Sequence, residues 1–96
     1  MARPPRLETP RDVRQLSRVP LPPIISVGVA SNAPVEVQER MADYGWSRAL
    51  RHAVVVMAAD PGGEWLDVAD PSYGRERWPA EGIEWLWDGQ ALVLMR

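Results

Sequence analysis

The chain contains no cysteine and no lysine, a single histidine, and no long apolar run. Without cysteine these residues supply no disulfide, no thiolate metal site and no thiol nucleophile. One histidine leaves a zinc site to be built mostly from carboxylates, an unusual donor set for that metal, so no metal or other cofactor is expected. The eleven basic residues are all arginine and stand against thirteen acidic ones, for a net charge of −2. That balance gives no footprint for nucleic acid or an anionic membrane. No segment approaches the roughly 18–20 consecutive apolar residues of a membrane span. The opening Met1-Ala2-Arg3-Pro4-Pro5-Arg6 lacks the apolar stretch of a signal peptide, so the expected location is cytoplasmic.

What is present fits one small domain. Ninety-six residues suffice for a single core, and 46% hydrophobic residues with five tryptophans provide one. Ten prolines and seven glycines imply many turns. Residues 1–9 are rich in Pro and Arg and read as a flexible lead-in. Thr9-Pro10-Arg11-Asp12 carries the signals of a helix start, with Thr as N-cap and Pro at the first helical position. The helix should run to about Arg18 and be stopped by Pro20, Pro22 and Pro23. Residues 1–15 are thus expected to form a flexible or helical arm, and residues 16–96 the domain. The arginines of the arm suit either an acidic partner or a solvated tail.

β-branched Ile24-Ile25-Ser26-Val27-Gly28-Val29-Ala30 predicts a strand. Val37, Met41 and Tyr44 recur at helical spacing and predict a short helix over 35–44, ended by Gly45. His52-Ala53-Val54-Val55-Val56-Met57-Ala58 is almost continuously apolar, as in a central strand buried on both faces. Residues 64–69 predict a strand, 70–77 a polar loop, 79–87 a short helix despite Gly82, and 90–95 a last strand. Hairpin-linked strands with peripheral helices make an α+β fold with a mainly antiparallel sheet. Trp78, Trp85 and Trp87, with Ile83 and Leu86, would then form an aromatic helix, serving either as core packing or as a peptide groove. Gly62-Gly63 belongs to a turn and is no phosphate loop.

His52 and Asp70 fall at the open end of one predicted hairpin. Whether they share a face depends on the loop, because a one-residue slip turns every side chain over. Asp60-Pro61-Gly62-Gly63 suits a type I turn with Gly63 left-handed, giving a three-residue loop over 61–63 in which Asp60 pairs with Glu64. Counting outward, Val54 lies opposite Asp70 and His52 opposite Ser72, with His52 and Asp70 diagonal neighbours on one face. A two-residue loop would separate them. A carboxylate beside an imidazole fixes its tautomer and stabilises the imidazolium, leaving the other nitrogen to take a proton from a nucleophile. The same pair also occurs as a satisfied polar contact at a strand end.

Four pieces of sequence occur in order: Pro23-Ile24-Ile25-Ser26-Val27; His52-Ala53-Val54-Val55-Val56; Val68-Ala69-Asp70-Pro71 with Gly74; and Trp87-Asp88-Gly89-Gln90 before Ala91-Leu92-Val93-Leu94. Together they resemble the C-terminal half of the double-glycine peptidase family, the bacteriocin-processing, papain-like cysteine peptidase family 39. The resemblance covers residues 16–96, with an unusual insert near 32–50. It implies the sheet half of a papain-like domain, with His52 as general base and Asp70 as its orienting partner. In that family the nucleophile is a cysteine at the start of a long helix, preceded by a glutamine that helps hold the oxyanion. Nothing in residues 1–23 is similar to that segment. Among the serines, Ser17, Ser26, Ser31, Ser47 and Ser72, only Ser72 is expected near His52, and it reads as an ordinary loop residue rather than a nucleophile. The resemblance implies two possible functions. One is peptide-bond cleavage by a Cys-His-Asp mechanism once a Cys-bearing half completes the site, with a peptide leader as substrate. The other is a non-catalytic module of the same fold that binds a peptide or protein.

Overall fold

A computed structural model of the chain describes residues 6–20, 22–43, 46, 51–71 and 73–93. Six strands form one antiparallel sheet in the order β1-β6-β2-β3-β4-β5. They are β1 (Arg6–Glu8), β2 (Ile24–Gly28), β3 (Arg51–Ala59), β4 (Trp65–Asp70), β5 (Gly74–Pro79) and β6 (Ala91–Val93). Two helices, α1 (Val13–Leu16) and α2 (Val35–Asp43), and a 3₁₀ turn at Ile83–Trp85 complete the α+β fold. Among the described residues no helix is long and apolar enough to cross a membrane.

The core lies on one face of the sheet. Ile25 and Val27 of β2, Val54 and Val56 of β3, and Leu66 and Val68 of β4 alternate inward, as period two requires. Val13 and Leu16 of α1, together with Trp87, close over them. β3 is central, but it is not buried on both faces. Ala53 and Met57 point into solvent because the helices pack on one side only. Its continuous apolar run therefore reports two faces with different fates.

Several expectations are corrected. Residues 6–8 are not a loose lead-in: they pair with β6, Leu7 opposite Leu92. α1 spans Val13–Leu16, with Val13 and Leu16 both buried in the core. The N-cap is Asp12, not Thr9. Its carboxylate accepts from the Gln15 amide at 2.8 Å, and the helix lasts one turn. Arg11 sits at φ 73° just before the cap, so the helix cannot begin at Pro10. The polar run after Asp70 is mostly strand, with Arg75, Arg77 and Pro79 on one face of β5. The helix expected over 79–87 shrinks to the 3₁₀ turn. Trp78 and Pro79 are claimed by β5, and Gly82 at φ 81° limits the helical backbone to Ile83–Trp85. The ends of the predicted helix and last strand, Tyr44, Gly45 and residues 94–95, lie outside the described residues.

One glycine is needed where two segments meet. Gly89 has φ 85°, its carbonyl accepts from the Arg11 amide at 3.0 Å, and an added Cβ would stand 3.0 Å from the Arg11 Cα. Backbone cannot move aside as a flexible side chain can. Gly89→Ala should therefore cost about 1–3 kcal/mol, read as a lower urea midpoint with an unchanged slope.

β4 and β5 are joined on the open face by a two-point ion pair. Arg77 Nε and Nη2 donate to Asp67 Oδ1 and Oδ2 at 2.7 and 3.0 Å, and the guanidinium lies 3.9 Å above the Trp65 ring. The hydrogen bonds from Arg77 hold the Asp67 carboxyl below its ordinary range, with the guanidinium charge acting in the same direction. A depressed carboxyl pKa contributes stability at neutral pH that is lost as pH falls through the native value. The urea midpoint of Asp67→Asn should therefore lie slightly below wild type at pH 7. The gap should close on acidification; a gap independent of pH would contradict this account.

Candidate functional site

His52 and Asp70 are brought together. His52 Nε2 lies 3.2 Å from Asp70 Oδ2, and both side chains are on the core face of the sheet. The carboxylate is fully enclosed, while 31% of the imidazole remains exposed. An ionised carboxylate only accepts hydrogen bonds, so Nε2 is the donor in this contact. The enclosed group thus orients the ring, part of which stays open to the surface.

The route to this contact differs from the one expected. Gly63 takes the left-handed conformation (φ 81°), and its amide bonds to the Asp60 carbonyl, as a type I turn requires. The Asp60 carboxylate also accepts from the Gly62 and Glu64 amides, both at 3.0 Å. That draws Glu64 into the loop, and Asp60 pairs with Trp65 instead. Such a slip by itself would carry His52 to the other face. A β-bulge between Val56 and Ala58 inserts one residue, Met57, and restores the parity. Beyond the bulge Val56 pairs with Val68 and Val55 with Ala69. One step further places Val54 opposite Asp70.

Trp46 is the site residue that sequence reasoning missed. Its ring meets the His52 imidazole edge to face, with centroids 4.3 Å apart, and touches Trp78 at 5.6 Å. A backbone bond from the Trp46 amide to the Met41 carbonyl ties it to the end of α2. It lies in the segment 32–50, where no periodicity marked it for the core. Its ring shields one side of the imidazole from water. Next to it, a cleft of about 260 Å³ is lined by Met41, Trp46, Trp78, Ile83 and Leu86. A larger cleft of about 660 Å³ lies at the turn end of the hairpin, lined by Arg11, Gly63 and Asp88 among others. It includes neither half of the His–Asp pair.

No family model, no curated protein and no solved structure matches this chain.

No serine hydroxyl among the described residues bonds to His52. Ser17 Oγ donates to the Arg14 carbonyl, and Ser26 lies on the opposite face, accepting from Arg51. Ser47 and Ser72 lie outside the described residues. No cluster of metal-ligating side chains occurs among the described residues.

Proposed function

We propose that this chain supplies the histidine–aspartate half of a papain-like peptidase site and that a cysteine from outside these residues completes it. The observation that carries this reading is the asymmetry of the pair: a fully enclosed carboxylate on Nε2 of an imidazole that is itself partly open. In the proposed reaction Nδ1 takes the thiol proton, and the thiolate attacks a peptide carbonyl. The imidazolium returns the proton to the leaving amine, and water hydrolyses the resulting thioester. Asp70 holds the ring and offsets its charge during each transfer.

A second reading is a peptide-binding module without catalysis. The absence of cysteine from all 96 residues favours it, as does the apolar cleft beside Trp46. One experiment separates the two. A helical segment of the peptidase family carrying its Gln and Cys is added in trans or fused ahead of Arg6, and a fluorogenic peptide ending in two glycines is supplied. Cleavage that requires both parts and is blocked by iodoacetamide is the expected result. Peptide binding without cleavage in either format would favour the binding module and overturn the peptidase reading.

A further inference from the structure

The sheet has a second face, and its residues break the usual pattern. An antiparallel sheet with a core on one side ordinarily turns polar residues to the other. Here the open face carries Leu7, Leu92, Ile24, Val55 and Ala69. They are consecutive cross-strand partners from β1, β6, β2, β3 and β4. None of the five belongs to the core cluster. Leu7 is 58% exposed, and Met57, pushed out by the bulge, is 38% exposed beside them. At about 4.8 Å per strand the row spans about 19 Å, the length of roughly a dozen helical residues.

The charges on this face are also one-sided. Arg51, Arg75 and Arg77 stand on it against Asp67 alone, an excess of positive charge on a chain whose net charge is −2. Asp67 is taken up by Arg77, and Arg51 is held by the hydroxyl and carbonyl of Ser26. Neither Arg51 nor Arg75 has a carboxylate partner among the described residues. From this juxtaposition we infer that the open face docks an amphipathic helix of another polypeptide segment, with its apolar stripe on the Leu92–Ile24–Val55 row and acidic flanking residues against Arg51 and Arg75. Charge complementarity selects this occupant. A second copy stacked face to face would meet this excess of arginine with an equal one. A bilayer needs apolar side chains that protrude, and three of the five in this row, Ile24, Val55 and Ala69, are partly buried. His52 and Asp70 are on the other face, so docking here leaves the exposed part of His52 uncovered, and the inference does not depend on the peptidase reading.

The test is selection from a displayed library of 18-residue amphipathic helices whose flanking positions vary over Asp, Glu, Lys and Ser. Enrichment of acidic flanks is expected. The selected helix should bind Arg51→Glu/Arg75→Glu at least tenfold more weakly, and Val55→Glu should not bind it. The arginine pair is exposed and keeps the test valid if Val55→Glu fails to fold. No enrichment, equal enrichment of Lys flanks, or affinity indifferent to the charge reversal would overturn the proposal. So would co-sedimentation with 7:3 phosphatidylcholine:phosphatidylserine vesicles in the absence of helix binding, or a sedimentation-detected dimer abolished by the same double substitution.

Discussion

Leu66→Ala is expected to remove about 2–5 kcal/mol of stability, against a total of about 5–15 kcal/mol for a domain of this size. Leu66 has no exposed surface and sits in β4 between β3 and β5, where it pairs with Ala59 and Trp78. Its neighbours on the core face, Val56 and Val68, are held by two strand ladders and cannot collapse into the vacated space. The cavity cost therefore adds to the lost transfer energy, and the thermal midpoint should drop by about 10 °C or more. Leu92→Ala is the control on the opposite face, where it should cost within about 0.5 kcal/mol. Calorimetry on the two variants checks both. Equal losses would mean that the open face is packed within the folded chain, which would also remove the basis for helix docking there.

The α+β class and the central hairpin were legible because they arise from dense local signals. The apolar run of β3, the Asp-Pro-Gly-Gly turn and the alternation of Leu66 and Val68 all point to the same hairpin. The His52–Asp70 contact was reached through a loop one residue too short, an error that the bulge at Met57 cancels. Nothing local announces that bulge, since Met57 lies in an unbroken apolar run without glycine or a polar break. β5 was hidden for a physical reason: a charged edge strand guards against aggregation by looking like a loop. Arg75, Glu76 and Arg77 do this here, and Pro79 ends the strand. β1 was hidden because three residues carry no period, and only the presence of Leu92 gives Leu7 a place. Trp46 could not be assigned to His52 because their contact spans a segment with no regular pattern.

In the completed two-part enzyme, His52→Ala should lower the cleavage rate by about 10²–10⁴-fold, the usual range for a positioned general base. Asp70→Asn tests a different step. Asparagine keeps the size of the side chain, but its amide carries no charge to offset an imidazolium. Rotated so that its NH₂ faces Nε2, it would also select the tautomer with the proton on Nδ1, which cannot accept from a thiol. The rate should fall while peptide binding stays close to wild type, so the loss appears in kcat and not in KM. A structural role predicts otherwise. Removing the hydrogen bond from an enclosed carboxylate by His52→Ala should then cost about 1–3 kcal/mol of stability and leave any cleavage intact in the folded fraction. Rates corrected for the folded population, measured beside urea unfolding curves for His52→Ala and Asp70→Asn, separate the two. If both variants cleave at the wild-type rate per folded molecule, the imidazole at 3.2 Å from Asp70 is a strand-end contact and the catalytic reading fails.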